Sequence, residues 1–288
     1  MKKSFMAIIA TVLLALDMSA GALAKPFVFT AIPDQDESRL RARFDKVANY
    51  LQEKLGVEVK YVPVKSYAAA VTAFRNNQVQ LAWFGGLSGV RARLLVPGSQ
   101  AIAQGYEDQL FVTYFIAHKS TGLKPSKEFP DGIKGKTFTF GSKGSTSGRL
   151  MPEYYIREHF HKSPDEVFKR VGFSGDHTRT IALVQSGAYQ VGAVNFKVWE
   201  SEDKAGHVNK DEVSVIWQTP PYPDYQWTIR GDVNAVWGKG FSDRVKQALL
   251  DITDPDLLAS FPRSRFVPAS NAEYEPILKT AKAIGILD

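Results

Sequence analysis

Thr137-Phe138-Thr139-Phe140-Gly141-Ser142-Lys143-Gly144-Ser145-Thr146-Ser147-Gly148 opens like a strand and passes through a loop of small hydroxylated residues. It then runs into a helix-like segment at 149–160. That order describes an anion site in outline. The first turn of a helix carries N–H groups with no intrahelical acceptor, and the helix dipole puts partial positive charge at the same end. Three adjacent hydroxyls add donors of their own, and the glycines allow close backbone approach. An oxyanion held there needs no lysine. The same residue types also make ordinary helix caps and turns, so the surrounding chain has to decide between the two.

Upstream, residues 27–32, 57–62, 78–84, 101–104 and 110–117 read as strands. Between them lie helical patterns. One spans the segment from Glu37 to Gly56, with Leu40, Phe44, Val47, Ala48, Leu51 and Leu55 on a single face. Others follow Ser66-Tyr67 and run over 87–95. Strand–helix alternation of this kind predicts a mostly parallel sheet with helices on both faces. A polar stretch at 119–136, with Pro125, Pro130 and Gly132, reads as a crossing.

The pattern restarts at Thr137. Strands are expected at 137–140, 167–173, 190–194 and 213–218, with helices at 149–160, after His177 and from Phe196. Residues 219–225 contain Pro220, Pro221 and Pro223 and cannot be a helix interior. Helices near 242–251 and 271–284 close the chain. The expected fold is therefore α/β, two lobes around a cleft: 25–117 with 219–288 as the first lobe, 118–218 as the second. Ligands in such sheets bind beyond the carboxyl ends of strands. The loops at 31–35, Gly85-Gly86, 144–148, 174–177 and Asn195 are thus candidates to face the cleft.

The chain ends supply location. Lys2 and Lys3, the apolar run at 6–16 and Ala22-Leu23-Ala24 make a secretory signal over 1–24, too short to be read as a membrane span. There is no cysteine among the 288 residues, so disulfides, thiolate nucleophiles and lipidated cysteines are excluded. A free periplasmic protein is expected. The net charge of +6 is dispersed, with no basic stripe, which argues against nucleic acid. Enzyme motifs are missing as well. Gly141-Ser142-Lys143-Gly144 lacks the spacing that cradles a nucleotide, Thr146 rather than serine stands midway between Gly144 and Gly148, and His159 and His161 face different ways on a helix. No cofactor or metal is expected.

With Leu81-Ala82-Trp83-Phe84-Gly85, Gly144-Ser145-Thr146-Ser147-Gly148, Ser66-Tyr67-Ala68 and Gly175-Asp176-His177 in view, the chain resembles the periplasmic substrate-binding proteins of phosphonate- and phosphite-type ABC importers over nearly all of its mature length. Ala31-Ile32-Pro33-Asp34-Gln35-Asp36-Glu37 and Trp83-Phe84-Gly85-Gly86-Leu87-Ser88-Gly89 are similar to a subgroup labelled selenate-binding. The resemblance implies two lobes of mixed, mostly parallel sheet (the type II arrangement), a two-strand hinge, and a small oxyanion trapped on closure. It further implies a monomer that serves a membrane permease and ATPase.

By the same resemblance Ser145, Thr146 and Ser147 hold the oxyanion, with Tyr67, His177 and Asp224 around it. Trp83 and Phe84 read as core and cleft wall, with Phe84 kept among the ligand-site candidates, and Asn195 completes the set. Asn195 stands where aminoalkylphosphonate binders place a carboxylate, which implies a ligand without an amine. An ionised Asp224 only accepts hydrogen bonds, so it favours an anion that carries a proton and disfavours selenate. Replacing Ser145 and Ser147 by alanine is expected to abolish binding and leave the apo melting temperature nearly unchanged. The alternatives are a periplasmic sensor that partners a histidine kinase, and a phosphoester hydrolase.

Overall fold

The computed structural model describes residues 25–287, so the signal segment expected at 1–24 lies outside the described residues. The first half of the first lobe follows the predicted alternation. Strand β1 (Phe27–Ala31) leads into helix α1 (Glu37–Leu55), which is capped by the Asp36 carboxylate and ended by Gly56 at φ 68°. Its buried face is the expected one, Leu40 to Leu55. Then come β2 (Val59–Tyr61), α2 (Tyr67–Arg75, capped by Ser66), β3 (Leu81–Phe84), α3 (Gly86–Leu95) and β4 (Gln100–Gly105).

The second lobe is built from β5 (Thr113–His118), β6 (Thr137–Phe140), α4 (Met151–Phe160), α5 (Pro164–Val167), β7 (Arg170–Phe173), α6 (His177–Gln185), β8 (Val191–Asn195), α7 (Phe196–Lys204) and β9 (Val213–Gln218). The chain then returns to the first lobe with β10 (Gln226–Ile229), α8 (Val233–Trp237), α9 (Phe241–Leu250), α10 (Pro255–Ser260), β11 (Phe266–Pro268) and α11 (Glu275–Ala283).

Two sheets result, ordered β11-β4-β10-β3-β1-β2 and β7-β6-β8-β5-β9. This corrects two expectations. First, β5 is an inner strand of the second sheet, between β8 and β9, so the first crossing lies between β4 and β5 and the boundary expected at residue 117 falls ahead of Thr113. Second, the sheets are mixed, as expected, but not mostly parallel. β1 runs parallel to β2 and β3, and β6 to β7 and β8, but β10, β4 and β11 pair antiparallel, as do β5 with β8 and β9. The antiparallel members include the strands that leave or re-enter a lobe through a crossing. A chain arriving from the other lobe enters its sheet from the cleft end, which reverses its direction.

The two crossings, 106–112 and 219–225, bind one another. Phe111 and Tyr222 exchange N–H···O bonds at 2.9 Å in both directions, the Thr219 N–H donates to the Thr113 carbonyl, and the Asp224 N–H donates to the Asp108 carbonyl at 3.0 Å. They form the two-strand hinge. A buried fork clamps it: Arg263 Nε and Nη2 donate to the two Asp108 oxygens at 2.8 and 2.7 Å, and the guanidinium lies over the rings of Phe111 and Tyr225. Such bidentate geometry fixes orientation as well as charge.

Candidate functional site

The helix after β6 does not begin with an ordinary turn. Residues Thr146–Leu150 form a single π turn that runs straight into α4. Pro152 explains the start. It has no N–H to offer the Gly148 carbonyl four residues earlier, and that carbonyl instead accepts from the Gly141 N–H at 2.8 Å. The Ser145 hydroxyl caps the turn by accepting from the Gly148 N–H at 2.9 Å. The capping reading of this loop thus holds for Ser145, whose hydroxyl keeps its own hydrogen to donate. Gly148 is closely packed: a Cβ there would sit 3.0 Å from both His177 Cε1 and Ser145 Oγ, so those side chains would have to shift by a few tenths of an ångström. Gly144 is similarly constrained, because its Cβ would meet that of Tyr67 at 3.0 Å.

The predicted residues are assembled from both lobes at the strand ends. Ser145, Thr146, Ser147, Tyr67, His177, Asn195 and Asp224 are each no more than 2% exposed. Ser147 Oγ lies 3.5 Å from His177 Nε2, and the Tyr222 hydroxyl pairs with Thr113 Oγ1. His177 is neutral, its pKa pushed down to about 3 by burial. Its tautomer follows from its partners: Nδ1 accepts from the Asn195 N–H at 3.3 Å, so Nε2 carries the hydrogen and faces Ser147 as a donor. The cap of α6 is Asp176, not His177.

Thr146 turns its hydroxyl toward the first lobe. Oγ1 accepts from the Leu87 N–H at 3.0 Å, and the same side chain opposes the rise in the pKa of the Asp224 carboxyl. Through Leu87 the hydroxyl joins the second lobe to the start of α3 in the first. Asn195 is likewise committed. Its Oδ1 caps α7 on the N–H groups of Lys197 and Val198, and its Nδ2 donates to Tyr225 Oη at 3.0 Å. Phe84 departs from the expected set. Its ring is fully buried in the first-lobe core, edge-on to Phe74 with centroids 5.7 Å apart, while the neighbouring Trp83 stacks on Tyr225. A strand covered on both faces buries both sets of side chains, and at β3 the two aromatics take opposite sides.

Three buried polar atoms of this region have no hydrogen-bond partner among the described residues: Tyr67 Oη, Asp224 Oδ2 and Asp34 Oδ1. They lie within electrostatic reach of each other, since the charges of Asp34 and Asp224 both raise the Tyr67 phenol after burial has done so. Asp224 keeps its other oxygen on the Gly86 N–H at 2.8 Å, and burial pushes its pKa up to about 7. Asp34 is raised by burial too, against the pull of Arg43 and the Tyr225 hydroxyl. Buried polar atoms are almost always paired, so three orphans close to one another make this region the candidate for a ligand site.

Sequence reasoning missed Asp34, Tyr222 and Tyr225. Asp34 had a signal, in a strand-end loop beside Pro33. The two tyrosines flank Asp224 in a proline-rich segment that carries no periodic pattern. Asp34 also closes the cleft, its carbonyl accepting from the His177 N–H at 3.0 Å.

Comparison with known proteins agrees with this geometry. The sequence model of a family described as the periplasmic substrate-binding protein of phosphonate ABC transporters matches residues 29–274. A probable ABC transporter phosphite-binding protein, PhnD1 of Prochlorococcus marinus (strain MIT 9301), is 41% identical over 254 residues, 86% of each chain. The phosphonates-binding periplasmic protein of Escherichia coli (strain K12) is 27% identical over 79% of this chain and 65% of its own. The crystal structure of PhnD1 in complex with methylphosphonate superposes with a TM-score of 0.87, covering 91% of this chain and 99% of that one at 39% identity.

Proposed function

Since the chain belongs to the phosphonate family of periplasmic substrate-binding proteins of ABC transporters, we propose that it captures a small phosphorus oxyanion bearing a proton, phosphite or methylphosphonate, and delivers it to its permease. Proteins of this family are substrate-binding components and not enzymes, and they work in the periplasm with a membrane permease and an ATPase.

One observation carries the ligand reading. The anion-binding first turn at Thr146 and Ser147 lies beside a buried carboxyl, Asp224, whose Oδ2 lacks a protein partner. The Ser145 and Ser147 hydroxyls, the N–H groups of Thr146 and Ser147, Tyr67 Oη and His177 Nε2 supply donors to the anion. Charge-assisted bonds of this kind contribute roughly 1.5–3 kcal/mol each. Asp224 requires one hydrogen between itself and the ligand. Phosphite and alkylphosphonates carry an ionisable proton that can serve, whereas selenate leaves Asp224 to supply it and so loses the contact above the carboxyl's own titration at about 7; selenate appears in none of the relatives' descriptions above. Asn195 offers an ammonium no carboxylate, and the nearby charge of Arg43 opposes a second cation beside Asp34. The site is complete within one chain, which fits a monomer.

Titration calorimetry tests the reading. Phosphite and methylphosphonate should bind at micromolar concentration or below, with 2-aminoethylphosphonate, sulfate and selenate far weaker. Tight selenate binding, or no heat from any phosphorus oxyanion, would overturn it.

A further inference from the structure

Two grooves run along the seam where the lobes meet, and their charges differ. One, of about 350 Å³, is lined by the start of α1 and the start of α6. It carries three acids, Asp36, Glu37 and Asp176, against Lys65 and Arg179. The other, of about 420 Å³, is lined by α2 and α3 of the first lobe and by the β6–α4 loop of the second. It carries two cations, Arg91 and Lys143, and no acid.

The cationic groove has the buried site behind it. Tyr67 lines it on one side and Gly144 on the other, and Tyr67 Oη is one of the unpartnered atoms inside. Outward it continues, through Arg91, Lys143 and Phe173, into a further groove of about 390 Å³ that adds Arg149 and Arg157. Those two arginines share Glu153, so they bring little free charge. Asp165 lines the same outer groove. Lys143 is exposed and has no ion-pair partner among the described residues; its ammonium rests over the Phe173 ring at 5.2 Å. Arg91 is tied only to the Ile286 carbonyl, at 2.9 Å, which leaves its charge intact.

From this asymmetry we infer that the anion enters by one mouth of the cleft only, the Arg91–Lys143 side, and that these two residues steer it to the Ser145–Ser147 turn without holding it once the lobes close. The inference rests on the anion reading above. Charges lining one side of a cleft raise the local concentration of a counter-charged ligand and its association rate, an effect that salt removes. Neither cation contacts the buried turn, so dissociation from the closed complex is set by other groups. The acidic groove, which meets the cationic one at Gly175, does not attract the same ligand.

Stopped-flow mixing with phosphite and with methylphosphonate decides the matter, read by tryptophan fluorescence because Trp83 stacks on Tyr225 of the site. At low ionic strength Lys143→Glu should slow association about 3- to 10-fold, and Arg91→Gln by a smaller factor, with both gaps shrinking below about 2-fold at 0.5 M salt. Dissociation rates and apo melting temperatures should match the wild type. Lys65→Glu, in the acidic groove, should leave association unchanged. Equal slowing by Lys143→Glu and Lys65→Glu, an unchanged association rate in Lys143→Glu, or a faster dissociation there would each overturn the inference. A wild type that binds neither anion would instead remove the ligand reading on which it stands.

Discussion

Replacing Asp224 by asparagine should remove a proton from the binding equilibrium. In the closed site Asp224 Oδ1 accepts from the Gly86 N–H, and Oδ2 is the oxygen left for the ligand. Burial raises the carboxyl to about 7, so it keeps its proton below that pH and loses it above. At pH 8 and higher both Asp224 and a fully deprotonated oxyanion bring only lone pairs to their contact. One proton must then be drawn from solvent for each ligand bound. Linkage fixes the size of the effect: the dissociation constant rises tenfold per pH unit, or 1.36 kcal/mol, once both partners are deprotonated. Between pH 7.5 and 9.5 the wild type should weaken by up to about 100-fold.

Asparagine keeps an oxygen for Gly86 and turns an N–H₂ donor toward the ligand. The proton is no longer needed, so the slope of log Kd against pH should flatten toward zero. The assay is calorimetry of phosphite binding at pH 8.5 in buffers of different ionisation enthalpy, which counts protons directly. Other groups at the site do not imitate the effect. His177, at about 3, is neutral throughout, and Tyr67 is held well above the usual phenol range. Asp34 is also raised, so Asp34→Asn is the control that must keep the slope. Zero proton uptake by the wild type at pH 8.5, or an undiminished slope in Asp224→Asn, refutes the argument.

Thr146→Val preserves shape but leaves the buried Leu87 N–H without its acceptor, at a cost of about 1–3 kcal/mol. Calorimetry should show binding weakened by between roughly 5- and 150-fold, with small-angle scattering reporting a more open protein at the same ligand concentration. Ser145→Ala removes a cap and should lower apo stability by about 1 kcal/mol. An unchanged thermal melt, the outcome the sequence alone suggested, would mean that the cap contributes nothing. Arg263→Met strands the Asp108 carboxylate in the hinge and should cost about 3–5 kcal/mol. Chemical denaturation should show that loss, and Asp108→Asn placed on top of it should restore part.

The sequence made the βα units and their loops legible because those signals are local. Asp36, Ser66 and Asp176 sit as caps where their side chains predict, and the buried face of α1 has the period of a helix. Strand β10 was not legible. Gln226, Trp227, Thr228 and Ile229 are all buried, so no alternation separates one face from the other. Membership of β5 in the second sheet was hidden for a related reason. A strand reports its own conformation, while its sheet is set by pairing with β8 and β9, dozens of residues away. The hydroxyls of the Gly144–Gly148 loop were legible as a set but not one by one. Only the folded geometry gives Ser145 to a cap and turns Thr146 toward the other lobe.

On the proposed function, that division of labour makes closure wait for a ligand. Shutting the lobes forms Thr146 with Leu87, Asp34 with His177 and Asn195 with Tyr225 across the cleft. Each such bond is worth roughly 0.5–1.5 kcal/mol net. The same closure removes Tyr67 Oη, Asp224 Oδ2 and Asp34 Oδ1 from water with no partner in the protein, and an unsatisfied buried group costs roughly 1–3 kcal/mol. The two sets are of similar number and the penalties are the larger, so closure without ligand is unfavourable by a few kcal/mol. An oxyanion that carries a proton gives donors and acceptors to the orphaned atoms and reverses the balance. None of those atoms lies on the Ser145–Ser147 turn: Tyr67 opens α2 of the first lobe, Asp224 is in the hinge crossing itself, and Asp34 is in the loop that bonds His177. The groups that test the ligand are thus built into the parts that move, and a ligand unable to satisfy them leaves the lobes free to reopen.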